Sequence, residues 1–332
     1  MILVTGGTGL VGAHLLLRLI ENGETVRAIY RNPISLQKTK SLFNLYQKGN
    51  LFDKIEWILA DINEIPTLKK AFQDIEFVYH CAAIISFDRK KEELLRKINI
   101  EGTANIVNFC LEHNIKKLCH VSSIAALGNL LEHETVVTEE TDWNPEKEHS
   151  DYAISKYGAE MEIWRGQQEG LNVAIVNPGV ILGPGFWNDG SGKLFKSVAQ
   201  GLPFYTKGIT GFVAVDDVVK SMISLMKSDI EGERFIVVGE NVSYENIIKS
   251  IAENLKVKQP RIHIKKWTTE IYWRIDWLLS KLFLKPQKIT KSLSNSMHSF
   301  DYYSNEKIRK ELQLEFTSPL EYIKKISVFY EI

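Results

Sequence analysis

Three cysteines in 332 residues, Cys81, Cys110 and Cys119, make an odd set with no Cys-x-x-Cys spacing. That argues against a disulfide framework or a thiolate metal cluster, and leaves buried, reduced small hydrophobes; no metal site is expected. No uninterrupted apolar run reaches the roughly 18 residues of a membrane span. The opening run Met1-Ile2-Leu3-Val4 breaks at once into glycines, so it reads as a first strand and not as a signal peptide. Charge of one sign is missing too. With 41 basic against 41 acidic residues the chain has no net field to gather nucleic acid or anionic lipid. Repeats and low-complexity segments are absent. A cytoplasmic globular protein, with no nucleic-acid partner, is the expectation.

What is present begins at residue 2. Ile2-Leu3-Val4 runs into Thr5-Gly6-Gly7-Thr8-Gly9-Leu10-Val11-Gly12, and a helical pattern follows from Leu10 to about Asn22, closed by Gly23. Thr8 is a candidate cap for that helix. Strand, glycine turn and helix form a phosphate cradle. Gly6 permits the tight turn, Gly9 lets backbone approach a pyrophosphate, and Gly12 lets helix and strand pack closely. The helix N-terminus faces the negative charge. The next strand, Thr25 to Tyr30, ends at Arg31, with Lys38 seven residues on, where an NAD site usually places an acid. Cations there pair with a 2′-phosphate, so NADP is favoured over NAD; the bland alternative is a solvated Arg31.

Ile55 to Leu59 reads as a third strand ending at Asp61-Ile62, with Asp61 meeting an adenine amino group or capping the helix near Pro66. Phe77 to Ala83 reads as a fourth, whose Cys81-Ala82-Ala83 end leaves room for a flat ligand. His80, and His14 and His113 on helical patterns, read as packed core residues. A helix from about Lys90 to His113 contains Asn99, an unfavourable interior residue that hints at a task. Lys117 to Val121 is a fifth strand and delivers Ser122-Ser123 at its carboxyl end, where open α/β sheets bind ligands. Tyr152 and Lys156 then stand four positions apart at the start of another helix, hence on one face about 6 Å apart. An ammonium there is expected to pull the tyrosine pKa below its usual value of about 10 and suit it to proton transfer. Asn172 to Asn177 leads into Pro178-Gly179-Val180, and Phe212 to Asp217 is expected to start a helix capped by Asp216 or Asp217. The alternation implies an α/β fold: a Rossmann-type doubly wound parallel sheet from 1–177 plus about 211–239. A smaller, discontinuous, mainly helical lobe from about 178–210 plus 240–332 would bind substrate.

These motifs, in this order, resemble the extended short-chain dehydrogenase/reductase family. The resemblance implies a Ser123, Tyr152 and Lys156 trio, in which Tyr152 exchanges the proton, Lys156 tunes it and holds the nicotinamide ribose, and Ser123 orients the substrate oxygen. It also places Asn99 at the catalytic site. The cofactor wall would comprise Gly6, Thr8, Gly9, Leu10, Val11, Gly12, Arg31, Lys38, Asp61 and Ile62. Cys81, Ala82, Ala83, Pro178, Gly179 and Val180 would complete it, with Tyr152 and Lys156. Sugar dehydratases of the family carry an Asp-Glu pair after the serine, where this chain has Ile124-Ala125-Ala126. Sugar-nucleotide enzymes commonly carry an arginine where Thr210-Gly211 precede Phe212, although Arg234 is a possible substitute. The nearest resemblance is therefore to dihydroflavonol reductase and 3β-hydroxysteroid dehydrogenase-like members: reductases, or alcohol dehydrogenases, of a mostly apolar small molecule. A nucleotide-sugar epimerase with tightly held NAD and a catalytically silent NADP sensor are the alternatives. Family members often dimerise through helices placed at 90–113 and 151–168, so a homodimer is expected. The aromatic-rich stretch from Trp267 to Phe283 is read three ways: core or dimer helix, wall of an apolar pocket, or membrane-surface helix.

Overall fold

The strands of the central sheet are short and mostly apolar, and they occur where the apolar runs are. The computed structural model describes residues 1–132, 134–282, 287 and 289–330. Its strands are β1 Ile2–Thr5, β2 Val26–Tyr30, β3 Glu56–Leu59, β4 Phe77–His80, β5 Lys117–Val121 and β6 Val173–Pro178. They continue with β7 Val180–Leu182, β8 Phe204–Tyr205, β9 Ile209–Ala214, β10 Glu233–Val237, β11 Glu240–Ser243 and β12 Ile262–His263. Seven form one sheet in the order β10-β6-β5-β4-β1-β2-β3, parallel throughout. Strand order reverses between β1 and β4, which opens a crevice at their carboxyl ends.

Both faces are buried, as parallel sheets require. Val4, Tyr79, Cys119 and Val176 point to one side, covered by helices Leu10–Glu21 and Val215–Lys227. Leu3, Val78, Leu118 and Ile175 point to the other, covered by helices Gly102–Glu112 and Asp151–Gln168. A smaller sheet, β11-β9-β7, and the pair β12-β8 lie apart from it. Their core is shared with helices Gly192–Ala199, Tyr244–Asn254 and Pro319–Ser327.

Several local expectations need correction. Phe212 to Ala214 are strand, because β9 is paired on both sides, and the helix starts only at Val215. Neither Asp216 nor Asp217 caps it; Asp216 turns to Arg18 (3.4 Å) and the Tyr322 hydroxyl (3.1 Å), and Asp217 accepts from the Thr317 amide (2.8 Å). The helix expected over 90–113 is interrupted by a π-helical turn, Arg96–Glu101. The Lys266–Leu282 helix is not core: only Thr269 and Ser280 in it are buried, while its large apolar residues face out. Phe283 lies outside the described residues. No described helix is long and apolar enough to cross a membrane.

Candidate active site

The turn after β1 is held by contacts that exclude larger residues. Gly6 has φ +69°, and a Cβ there would lie 2.6 Å from the Ala82 amide nitrogen. A Cβ on Gly12 would lie 2.2 Å from the Gly6 carbonyl oxygen. Gly9 differs: its added Cβ would meet nothing nearer than that same oxygen, at 3.4 Å. Packing therefore demands glycine at 6 and 12 but not at 9, where the open side is the one a ligand would approach. Thr8 does not cap the helix. The N-cap is Gly9, no side chain bonds to the first turn, and that turn holds no acid. Uncapped N–H groups at the positive end of a helix dipole, beside half-buried Leu10 and Val11, fit a pyrophosphate. Behind the turn, Thr5 Oγ1 accepts from the Ala82 amide (3.2 Å) and bonds His80 Nδ1 (2.7 Å), whose Nε2 meets Thr103 Oγ1 (2.9 Å). His80 is thus a satisfied core residue. His14 is buried as well, with its pKa pushed down to about 4 chiefly by that burial.

The two cations expected at a 2′-phosphate part company. Arg31 stands 3.8 Å from Asp61 at the ends of β2 and β3. Lys38 reaches Asp189 instead, at 2.6 Å. Asp61 does not cap the next helix, whose N-cap is Glu64; it accepts from the Asn63 amide (2.9 Å). Ile62 packs beneath Gly102, where a Cβ would lie 2.5 Å from its Cδ1. Cys81 and Ala82 are half-buried and Ala83 exposed, on the loop leaving β4. Pro178 ends β6, and Val180 pairs with Phe212. Gly179 is required by packing alone, since a Cβ there would lie 2.3 Å from the Gly211 oxygen.

At the carboxyl end of β5 three groups converge. Ser150 caps the Asp151–Gln168 helix by accepting from Ala153 N, which aims the first turn at β5. The Tyr152 hydroxyl lies near Ser123, close enough for the serine to favour its ionised form. One turn on, Lys156 is 2% exposed and its ammonium donates to the Val121 carbonyl at 2.9 Å. Ser122 is committed elsewhere: its hydroxyl donates to Glu160 Oε2 at 2.7 Å. Glu160, fully buried, also accepts from Asn177 Nδ2 (2.9 Å) and Arg234 Nη1 (3.0 Å). Arg234 further donates to the Glu139 carbonyl, so it is already engaged by two partners and is not a free diphosphate ligand. Asn99 lies in the π turn. Its amide clamps the Ile84 backbone, accepting from N (2.9 Å) and donating to O (3.0 Å), and also donates to Ser155 Oγ (2.9 Å). That clamp sets the loop after β4, where Phe87 meets the Tyr152 ring edge-on at 5.8 Å.

The electrostatics depart from expectation in one respect. Burial raises the Tyr152 pKa above its ordinary value, and the nearby Ser123 recovers only part of the shift. Burial also lowers Lys156 to about 8, against the opposing pull of Glu160. The ammonium donates to Val121 and not to the phenol, and desolvation of the phenolate wins. Glu160 and Phe87 escaped the sequence reading. Glu160 had a signal, standing one helical turn beyond Lys156 on the same face; Phe87, in a loop, had none.

The model of the NAD dependent epimerase/dehydratase family matches residues 2–239, most of the chain. The chain belongs to that family. This member is an enzyme of the extended short-chain dehydrogenase/reductase type, on a family fold that binds a nicotinamide dinucleotide. It is 28% identical to anthocyanidin reductase of Arabidopsis thaliana over 91% of each chain. It is also 28% identical to sterol demethylase protein B of Methylococcus capsulatus, over 79% of this chain and 76% of that one. Among solved structures, gox2253 matches 99% of this chain and 97% of its own with a TM-score of 0.82 and 26% identity.

Proposed function

We propose that this family member reduces the ketone or aldehyde of a bulky, mostly apolar small molecule, with NADP preferred over NAD. The observation that carries the reading is the meeting of Tyr152 and Ser123 at the end of β5, one turn from a buried ammonium. Tyr152 is the general acid, Ser123 the group that orients the substrate oxygen, and Lys156 the charge that favours phenolate once the proton has left. A phenol whose pKa is raised by burial keeps its proton at neutral pH, the form in which it acts as general acid. The bound nicotinamide supplies the hydride. Asn99 is a positioning residue, holding the loop that carries Phe87. The cradle from Gly6 to Gly12 takes the pyrophosphate. Arg31 takes the 2′-phosphate and exchanges Asp61 for it, while Lys38 plays a smaller part because Asp189 holds it.

An apolar substrate is supported by Phe87 against Tyr152 and by exposed Ile85 beside it. The names of the anthocyanidin and sterol proteins point the same way. The substrate lobe comprises about 178–210 and 240–332, and a homodimer forms through the faces of 90–113 and 151–168, where Met161 is exposed. A nucleotide-sugar epimerase is the weaker reading. Thr210-Gly211 supply no cation, and Arg234 is already bound to Glu160 and Glu139.

The test is to release and identify any nucleotide from purified protein, then follow NADPH and NADH oxidation with flavonoid ketones, steroid ketones and UDP-sugars. NADPH-dependent reduction of an apolar ketone is expected. Tyr152→Phe should lower kcat by roughly 10²–10⁴-fold with NADPH affinity unchanged. Retained NAD with sugar epimerisation, or a Tyr152→Phe enzyme of normal rate, would refute the proposal.

A further inference from the structure

The Lys266–Leu282 helix carries its apolar face away from the protein. At 100° per residue, Trp267, Ile271, Ile275, Leu278 and Leu282 share a sector of about 80°. Each is at least half exposed, and Tyr272 and Leu279 widen the face. The residues that hold the helix to the rest of the chain lie roughly opposite and are polar. Thr269 Oγ1 meets His298 Nε2 (3.0 Å) and accepts from Ser294 Oγ (2.9 Å), and Asp276 accepts from the Ile289 amide (2.9 Å). Arg274 and Lys281 border the apolar sector and lie over Trp273 and Trp277, at 4.5 and 4.2 Å from the ring centres.

Charge separates the candidate occupants of this face. Residues 256–291 contain ten lysines and arginines against two acids, Glu270 and Asp276, in a chain whose net charge is zero. The two acids are both engaged, Glu270 with Arg274 at 2.7 Å. A second copy docking face to face would set one strongly positive segment against its twin, since a two-fold interface places like on like. An anionic surface with an apolar interior is complementary in both respects. The helix, about 25 Å long, would lie in the headgroup plane with its tryptophans at the boundary.

We infer that this helix docks the enzyme on an anionic lipid bilayer, its apolar face inserted and its basic flanks on the headgroups. The inference is independent of the reaction, and its assay uses no substrate. The full chain is sedimented with vesicles of pure phosphatidylcholine or of equimolar phosphatidylcholine and phosphatidylglycerol. Partition onto the mixed vesicles should be roughly tenfold or more tighter, weakening with salt. Tryptophan emission should shift to the blue, a change reduced in Trp267→Phe. Ile271→Glu/Ile275→Glu/Leu278→Glu should abolish binding without moving the thermal midpoint, because those side chains are exposed. Three results would each overturn it: no binding of the parent to mixed vesicles, equal binding of the triple variant, or a dimer in dilute buffer that the triple variant splits.

Discussion

Neutralising Glu160 should move the alkaline limit of the enzyme. Lys156 sits at about 8 where an ordinary lysine titrates at 10.5. If its charge is needed for turnover, kcat is maximal at acid to neutral pH, falls to half near pH 8, and drops tenfold per unit beyond. Glu160 opposes the burial that lowers this pKa, so Glu160→Gln must lower it further. Unit charges about 6 Å apart, one helical turn, interact by about 3 kcal/mol at an effective dielectric of about 20, or about two pKa units. Arg234, 3.0 Å from the same carboxylate, remains in the variant and acts on Lys156 before and after the change, so it drops out of the difference. The midpoint should therefore fall by about two units, costing about fiftyfold in kcat at pH 8 and about twofold at pH 6. The assay is a kcat–pH profile from acid to alkaline buffer for parent, Glu160→Gln and Glu160→Asp, with a thermal melt to show that each is folded. Glu160→Asp should restore the parental limb. A limb at the same pH in folded Glu160→Gln, or none in the parent below pH 10, would refute the electrostatic role.

Gly9→Ala should leave the melting temperature unchanged and weaken NADPH binding by at least tenfold, whereas Gly12→Ala should fail in both, because its Cβ would sit 2.2 Å from backbone; calorimetry and nucleotide titration separate the two. Arg31→Ala should weaken NADPH by roughly 10–100-fold, equivalent to about 1–3 kcal/mol for a charged bond, and leave NADH almost untouched, as measured by KM for each. Asn99→Ala removes three hydrogen bonds, should raise KM for the ketone as the Phe87 loop loosens, and should lower stability by about 1–3 kcal/mol in a urea melt.

The parallel sheet was legible because its strands are short apolar runs between helical periods, and the nucleotide turn because Gly6 and Gly12 answer to backbone sterics. Tyr152 and Lys156 were legible as a pair because helical spacing alone brings them together. What spacing could not convey was solvation: the same burial that assembles the site raises the phenol and lowers the amine, reversing the expected sign at Tyr152. Caps failed for a similar reason. Thr8, Asp216 and Asp217 occupy plausible positions, but distant partners or an open N-terminus decide their use. Pattern could not orient the Lys266–Leu282 helix either, since an apolar stripe looks the same facing core or solvent.

The wide turn at Arg96–Glu101 makes chain length as binding as residue identity in that segment. A π turn holds one residue more than an α turn, so losing one there would swing the preceding Glu92–Leu95 by about 100° relative to Asn99. A relative with an ordinary helix at this point would be one residue shorter. Aligning it without a gap would match Asn99 to the wrong neighbour, and a graft of this loop into such a scaffold would have to carry the extra residue with it.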